Sequence, residues 1–446
     1  MQATEAATGR RGFLDMSGYQ WTVLLAAWLG WGFDVMDGLL FNYVAPNCVP
    51  TLLGLKIGSP EAKAATLQWN GILTSLLLLG WAAGGILFGR ICDRIGRTRT
   101  LLLTMSMYAL GTALCAVAPS MGMLILFRVI ASLGIGGEWA AGASMVAEVV
   151  PEKRRVEAGA LLYTSAPAGL FLATYVTYLI QKVYLPGSPE TAWRYVFLFG
   201  LIPAAVAFVV RIFVKEPDRW KKTGAGSTNL AELFSKPWRS ITLSGLGMAL
   251  VALIMWWSCN AFIATVATGL ANVRAATDGL SMTATQGLIQ DWIKLATNSF
   301  NFGGLFGTLL TIPVAKYLGR KPMFIIYFLL SAASIMGTFG LDLDPHTRLY
   351  GYFFIGLSVF GVFGSFTYYL PELFPTRLRA TGSGFCYNGG RIVAAIGPFI
   401  VGSVAAMGKD ALHTALHVLF FVGFVPLAGL LLMPWVIETR HAELRD

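Results

Sequence analysis

The chain has 446 residues, of which 56% are hydrophobic and only 13% are charged, and its formal net charge is +10. A water-soluble protein needs far more charge to cover its surface, so this composition excludes a soluble globular protein and indicates an integral membrane protein. The apolar runs are continuous rather than alternating, which predicts membrane-spanning helices and not the strands of a β-barrel. No basic face or soluble domain is evident that could bind a nucleic acid. Apart from a small-molecule substrate, the expected partner is the lipid bilayer.

About twelve apolar runs are long enough to cross a bilayer, because roughly 20 helical residues span its hydrocarbon core. We number them span 1 to span 12 in chain order, with approximate limits 19–46, 69–89, 100–118, 121–146, 157–181, 193–214, 240–269, 287–314, 323–341, 349–370, 382–406 and 411–435. The polar N-terminus lacks the apolar core and cleavage site of a signal peptide, so span 1 is expected to be retained. The sequence therefore predicts an all-α membrane protein with both termini on one side.

Basic residues are concentrated in alternate loops. They cluster at 90–99, 153–155, 215–239, 316–321 and 377–379, whereas the loops on the other side carry few. Cytoplasmic loops of membrane proteins carry an excess of Lys and Arg. We therefore expect the basic loops and both termini to face the cytoplasm of a cell inner membrane.

Span 1 contains two carboxylates, Asp34 and Asp37, which are three residues apart and share a helix face. A charged residue inside a membrane span costs about 2.5 kcal/mol or more, so both are predicted to face a bundle interior or a water-filled cavity. An acid in such a place can take up and release protons. It can also serve as a structural partner for an interior arginine or a helix N-terminus. We expect at least one of the two to take part directly in transport.

The two halves of the chain are related. The loop after span 2 matches the loop after span 8 when Gly96 is aligned with Gly319, an offset of 319 − 96 = 223. The segment that begins at Glu148 matches the one that begins at Glu372, an offset of 372 − 148 = 224. Two matches at nearly one offset indicate a duplicated six-helix unit, the basis of many secondary transporters. The predicted units are an N-terminal bundle, a cytoplasmic linker and a C-terminal bundle, at 1–214, 215–239 and 240–446.

The loop at 89–99 has the form G-x-x-x-D-R-x-G-R. Its glycines permit a tight reversal, and Asp93 can pair with a base or meet the positive N-terminus of a neighbouring helix. We predict that this loop and its partners form a conformational latch made of Gly89, Asp93, Arg94, Gly96, Arg97, Glu148, Arg155, Glu372 and Arg379. Lys316 and Tyr317 stand where the first half has Asp93 and Arg94, so the latch is expected to belong mainly to the first half.

This loop resembles the signature of the major facilitator superfamily, and the span count and duplication agree with that resemblance. Within the superfamily, segments 30–37, 128–148 and 382–398 resemble spans 1, 4 and 11 of the metabolite:proton symporters, the group with sialate, aromatic-acid and lactate carriers. The resemblance covers the whole chain. It implies twelve helices in two pseudosymmetric bundles, alternating access and a monomer.

Two arginines lie well inside predicted spans, away from the span ends. Arg128 lies roughly 10 Å inside span 4, and Arg391 lies roughly 16 Å from the cytoplasmic end of span 11, at 1.5 Å per residue. Arginine stays charged, so each needs an anion: a carboxylate of the protein or of a substrate. For Arg128 a structural or coupling role with Asp34, Asp37 or Glu138 is favoured. For Arg391 both alternatives remain open.

These patterns predict two sets of transport residues. The proton-coupling set is Asp34, Asp37 and Glu138. The substrate-binding set combines the arginines with amides and aromatic residues at comparable depth: Arg391, Arg128, Asn388, Asn260, Asn298, Asn301, Trp257 and Tyr368.

The predicted function is proton-coupled import of a small organic anion, a carboxylate metabolite. A proton-independent facilitator of a sugar or another small metabolite has the same fold, and a transporter-like membrane sensor is an alternative of another class. A membrane enzyme is disfavoured because no Ser/His/Asp or Cys/His arrangement is evident. The five cysteines are scattered, so no metal site and no cofactor are expected, with H⁺ as the coupling ion.

Overall fold

A computed structural model describes residues 16–57, 59–185, 187–212, 229–407 and 411–440. In these ranges the chain is helical and contains no strand, and the helices form twelve spans in two halves. The first half consists of Gly18–Leu53 (span 1), Pro60–Ile95 (span 2), Arg97–Ala116 (span 3), Met121–Val149 (span 4), Arg155–Tyr163 with Ser165–Tyr178 (span 5), and Pro189–Phe199 with Leu201–Ile212 (span 6).

The second half repeats this order. It consists of Arg239–Asn260 with Ile263–Thr277 (span 7), Met282–Tyr317 (span 8), Arg320–Gly340 (span 9), Pro345–Glu372 (span 10), Arg379–Ala394 with Ile396–Met407 (span 11), and Ala411–Val422 with Phe424–Leu430 (span 12). The predicted linker lies largely outside the described residues, which resume just before a short 3₁₀-helix, Leu230–Phe234.

Nine of the described helices are long and apolar enough to cross a membrane by themselves. They lie in spans 1–5, 7, 9, 10 and 12, and in spans 5 and 12 consecutive helices are counted together as one. Several helices extend beyond the predicted apolar limits. Span 1, for example, continues through Pro46 and Pro50 to Leu53. The predicted all-α architecture of two pseudosymmetric six-helix bundles is confirmed.

The halves meet along two seams. Spans 2 and 11 pack together on one side of the interface, and spans 5 and 8 pack together on the other. The loops that follow spans 2, 4, 8 and 10 come together at one end of the bundle, which we call the basic end. Gly96 and Gly319 form the turns after spans 2 and 8, with φ angles of 103° and 107° that favour glycine.

Glycine also allows close helix packing. A Cβ atom on Gly307 of span 8 would overlap the carbonyl oxygen of Leu357 in span 10, and one on Gly303 would overlap that of Phe353. Small residues at membrane helix interfaces let backbones approach closely, where van der Waals contact replaces the missing hydrophobic driving force. Spans 8 and 10 therefore pack backbone against backbone.

Candidate functional site

Arg391 lies at the interface of the two halves and is 1% exposed. One face of its guanidinium lies 4.4 Å from the ring centroid of Trp81 in span 2, and Tyr387 lies 4.5 Å away. Its Nη1 donates a hydrogen bond to Oδ1 of Asn388, and its Nε has no acceptor. Within the described residues no carboxylate lies within 4.0 Å of this cation. A buried charge without a counterion is costly, so the site has capacity for an anion.

Aromatic rings surround this cation. Trp139 stacks on Tyr387 at 4.0 Å with an interplanar angle of 13°, and Trp257 packs edge-on against Trp81 at 5.7 Å. Tyr163 stacks on Phe363 at 6.0 Å. Five buried indole N–H groups have no acceptor in the described part of the chain, and four of them belong to this aromatic region: Trp31, Trp81, Trp139 and Trp256. The region therefore offers flat apolar faces together with free hydrogen-bond donors.

Asn388 is held in place by a close backbone. Its Nδ2 donates to the Gly384 carbonyl oxygen at 3.0 Å, and a Cβ on Gly85 of span 2 would overlap its amide. Only a glycine leaves room for this side chain between spans 2 and 11. The Asn388 oxygen is thereby fixed on the Arg391 guanidinium.

Asp37 and Arg128 form a second buried cluster between spans 1, 3 and 4. Thr112 Oγ1 donates to Asp37 Oδ2 at 2.6 Å, and Arg128 Nη1 lies 4.0 Å from the same oxygen. Arg128 also donates to the backbone carbonyl oxygens of Asp37 at 3.2 Å and Gly38 at 2.6 Å. These bonds tie Arg128 to span 1, so its geometry fits a coupling or structural role better than direct contact with a substrate.

The other two predicted acids are also inside the bundle. Asp34 is fully buried and Glu138 is 1% exposed. Glu138 borders a small cavity between spans 1, 4, 5 and 10, with Trp31 and Trp139 among its walls. Glu138 therefore lies next to the aromatic rings that lead to Arg391.

The remaining predicted substrate residues are not all brought to Arg391. Trp257 reaches it through Trp81, as described above. Tyr368 contacts Thr311 at 3.3 Å and lies below Arg320, at 5.5 Å from ring centroid to guanidinium, so its described contacts belong to the basic end.

The three other asparagines differ in their surroundings. Asn298 lines an open groove of about 740 Å³ on the outer face of spans 8 and 10. Asn301 is fully buried, and neither atom of its amide has a partner in the described ranges. Asn260 is half-buried at the end of the first helix of span 7.

Four aromatic neighbours of the site were not predicted: Trp31, Trp81, Trp139 and Tyr387. A signal existed for two of them. Tyr387 lies one helical turn before Arg391, and its offset from Tyr163, 387 − 163 = 224, equals that of the duplication. The offset from Trp139 to Phe363 is also 224. The two stacked pairs are thus the same pair repeated, with the partners exchanged between halves.

Ion pairs join the two halves at the basic end. In the first half Arg97 pairs with Asp93 at 3.1 Å and with Glu148 at 2.8 Å, and Arg379 of the second half pairs with Glu148 at 3.3 Å. Asp93 Oδ2 accepts from the backbone N–H and the hydroxyl of Thr381 at the start of span 11. Asp93 therefore meets both a base and a helix N-terminus.

The second half carries a matching set. Arg320 pairs with Glu372 at 2.9 Å, and Arg155 of the first half pairs with Glu372 at 3.4 Å. Lys316 pairs with Glu157 at 2.7 Å. The ion pairs at this end are therefore not confined to the first half, because the changed residues of the second half make an ion pair of their own. That the latch belongs mainly to the first half stays a prediction.

Two members of the predicted latch, Arg94 and Gly89, take no part in these ion pairs. Arg94 is exposed and makes no ion pair in the described part of the chain. Gly89 faces the start of span 11, where a Cβ on it would lie 3.1 Å from the Ala380 carbonyl oxygen. Gly89 thus permits the close approach of spans 2 and 11.

A bundle of apolar helices in two related halves that encloses a buried, charged site is the architecture of a membrane transporter. The family model for the Major Facilitator Superfamily matches residues 27–398. The chain belongs to this family, and it is an integral, multi-pass membrane transporter of small metabolites.

Relatives with named substrates are similar to this chain over most of its length. A "Probable 4-methylmuconolactone transporter" of Cupriavidus pinatubonensis is 30% identical, with 88% of this chain and 84% of that protein covered. A gentisate transporter of Corynebacterium glutamicum is 27% identical, with coverages of 86% and 81%. A sialic acid transporter of Escherichia coli is 25% identical, with coverages of 85% and 87%.

Among solved structures, a proton:xylose symporter superposes with a TM-score of 0.73 at 17% identity, with 96% of this chain and 98% of that chain covered. At this identity the similarity shows the fold alone.

Proposed function

We propose that the protein is a proton-coupled symporter that imports a small carboxylate by alternating access. The observation that carries the proposal is Arg391, a buried cation at the interface of the halves with no protein carboxylate as its partner. A substrate carboxylate supplies the missing charge and accepts from a guanidinium in a bidentate arrangement. Three relatives are named for organic acids or a lactone derived from one, which agrees with this substrate class.

The aromatic rings suit the non-polar part of such a substrate. Trp81 and Tyr387 cover the guanidinium, and the free indole N–H groups of Trp31, Trp139 and Trp256 can donate to further oxygens. Flat rings favour offset stacking, so an unsaturated or aromatic acid gains contact area that a saturated acid does not.

The proton is carried by the acids of the first half. Asp34, Asp37 and Glu138 are all buried. The Thr112 bond and Arg128 hold Asp37 in a fixed place, and a change in its charge alters the attraction between spans 1 and 4. Protonation therefore changes which arrangements of the helices are favourable, which is the coupling that symport requires.

In this proposal the basic end faces the cytoplasm of the inner membrane, together with both termini, as the distribution of basic loops favours. The halves 1–214 and 240–446, which the linker 215–239 connects, move relative to each other around the Arg391 site. The transport unit is a monomer.

The test is internal pH in proteoliposomes that contain a trapped dye, after addition of a panel of acids that includes gentisate, a muconate and a sialic acid. Protein-dependent acidification with one compound supports the proposal and names the substrate. Uptake of labelled acid without acidification contradicts proton coupling and favours a facilitator. Binding without any uptake favours a sensor. Empty liposomes correct for leakage of neutral acid.

A further inference from the structure

Because the chain is duplicated, the ion pairs of the basic end in one half have equivalents in the other half. Arg97–Glu148 at 2.8 Å corresponds to Arg320–Glu372 at 2.9 Å under the offsets of 223 and 224. Arg379–Glu148 at 3.3 Å corresponds to Arg155–Glu372 at 3.4 Å. The two seams thus share one geometry to about 0.1 Å in these ion pairs.

One contact is made by residues of a different chemical type in the second half. Under the same offsets Asp93 corresponds to Lys316 (93 + 223), and Thr381 corresponds to Glu157 (381 − 224). Both equivalent pairs are in contact. Asp93 Oδ2 lies 2.8 Å from the Thr381 nitrogen, and Lys316 Nζ lies 2.7 Å from Glu157 Oε1. The acid of the first seam has become a base in the second, and an acid has appeared opposite it.

We propose that Lys316 and Glu157 form a second latch of the transport cycle, a charge-inverted copy of the Asp93–Thr381 contact that opens more easily than the original. This pair joins the halves along the seam of spans 5 and 8. The proposal concerns the movement of the halves and does not depend on the substrate or the coupling ion.

Helix dipoles explain the unequal opening. Asp93 lies in the last turn of span 2, where the negative helix end disfavours it. Arg97 of the same half pairs with it at 3.1 Å, but the two hydrogen bonds from Thr381, at the N-terminus of span 11, stabilise it only while the halves touch. Lys316 lies in the last turn of span 8 and Glu157 in the first turn of the helix Arg155–Tyr163. Each is therefore stabilised by its own helix, whether or not the two halves are in contact.

Solvent acts in the same direction. The Lys316 side chain is 41% exposed, whereas that of Asp93 is 2% exposed. Each acid also keeps a base of its own half, since Arg154 Nη1 lies 3.4 Å from Glu157 Oε1 and Arg97 Nη1 lies 3.1 Å from Asp93 Oδ1, so these bases do not distinguish the two seams. Salt and competing water weaken a pair whose base is exposed, as Lys316 is, although the Glu157 side chain is only 8% exposed. Asp93 instead loses two buried hydrogen bonds from Thr381 when the halves separate.

The first experiment is amide hydrogen–deuterium exchange of the full-length protein in lipid nanodiscs, with no substrate present. Raising the salt from roughly 0.01 M to 1 M shortens the screening length from roughly 30 Å to 3 Å. We expect exchange to rise about two- to fivefold in 155–160 and 313–317, and to stay constant in 89–93 and 379–384. An equal response of both seams, or a response of neither, overturns the easier opening of the second latch.

The second experiment transplants the first latch onto the second seam. Lys316→Asp alone places two acids together, so exchange in 155–160 should rise about tenfold. Adding Glu157→Thr recreates the Asp–Thr contact and should return exchange to the native value or below it. If the double variant exchanges as fast as Lys316→Asp alone, the two contacts are not equivalent and the proposal fails.

A matched control is Arg274→Asp, which breaks an exposed ion pair with Asp278 within span 7, at 2.7 Å. Like Lys316→Asp, it replaces a base by an acid, but the ion pair that it breaks lies within one half. Exchange at both seams should remain native in this variant. A change there would show that the response reflects net charge rather than the latch, and would overturn the proposal.

Discussion

At the residue scale the decisive feature is a set of charges whose partners are unevenly distributed. Arg128 is satisfied by Asp37 and by span 1 carbonyl oxygens, whereas Arg391 has aromatic rings and one amide as neighbours. An arginine of the first type is part of the protein's internal pairing. An arginine of the second type has no protein carboxylate beside it, and this difference supports the substrate role that we propose for Arg391.

Replacing Arg391 by Gln should weaken substrate binding about 10- to 100-fold, because hydrogen bonds to charged groups contribute roughly 1.5–3 kcal/mol. Arg391→Lys keeps the positive charge but not the forked donor geometry, so its affinity for the substrate should lie between those of Arg391→Gln and the native protein. Binding of the acid found in the dye assay, followed by tryptophan fluorescence, gives the measurement. Native affinity in Arg391→Gln would exclude the arginine from the site.

Replacing Asp37 by Asn should abolish accumulation against a gradient while it preserves exchange of substrate across the membrane. The amide keeps the shape and the Thr112 contact but cannot take up a proton. Counterflow and acid-driven uptake in the same proteoliposomes separate the two activities. The matched control is Glu61→Gln, an exposed acid at the start of span 2, which should behave as native. Acid-driven accumulation in Asp37→Asn would disprove the proton role.

At the element scale, helix packing depends on glycine and on the capping of helix ends. Spans 8 and 10 approach through Gly303 and Gly307, and spans 2 and 11 through Gly85 and Gly89. The N-terminus of span 9 has a different device. Glu438, near the end of the described chain, accepts the backbone N–H groups of Arg320 and Lys321, both at 3.0 Å.

Gly307→Ala should lower the thermal unfolding temperature, since overpacking a tight interface costs about 1–3 kcal/mol. The added methyl group would overlap the Leu357 carbonyl oxygen, so spans 8 and 10 must separate. Gly287→Ala, on the same span with open space around it, should be neutral or slightly stabilising. Unfolding in detergent by tryptophan fluorescence compares them. Equal stability of both variants would show that the two helices separate without cost.

Glu438 predicts a pH dependence. Burial tends to raise its pKa, but the N–H groups of Arg320, Lys321 and Arg440 outweigh this and lower it. A lowered pKa stabilises the folded protein above the ordinary value of 4.5, and this stabilisation disappears as the pH falls through the lowered value.

Glu438→Gln should therefore reduce stability at pH 7 by about 0.5–1 kcal/mol, a usual size for a helix-end charge, and have little effect near pH 3. Thermal unfolding of both proteins at the two pH values gives the comparison. A difference that persists undiminished at low pH would contradict the charge effect.

At the scale of the whole molecule, two similar halves enclose one asymmetric site. The ion pairs of the basic end and the stacked rings Trp139–Tyr387 and Phe363–Tyr163 follow the duplication. The acids Asp34 and Asp37 and the cation Arg391 do not. The positions equivalent to the acids hold Trp257 and Asn260 at the offset of 223, or Ser258 and Ala261 at the offset of 224, and Pro167 stands opposite Arg391 (391 − 224). Symmetric parts join and separate the halves, and the asymmetric charges are where coupling and binding are proposed.

The sequence by itself determined the membrane class, the twelve spans and the duplication. Apolar length and the cost of intramembrane charge act within one segment, so they can be predicted without knowing any neighbour. For the same reason the burial of Asp34, Asp37 and Arg391 could be predicted, and the structure agrees.

Only the tertiary structure decided which side chains meet. Trp81 and Arg391 are 310 residues apart in the chain (391 − 81), and Lys316 and Glu157 are 159 residues apart. Their contact depends on the rotation and tilt of helices in different halves, which packing sets and hydropathy does not. That is why the groove beside Asn298 could not be foreseen, nor the ion pair that joins the halves where the motif itself is lost.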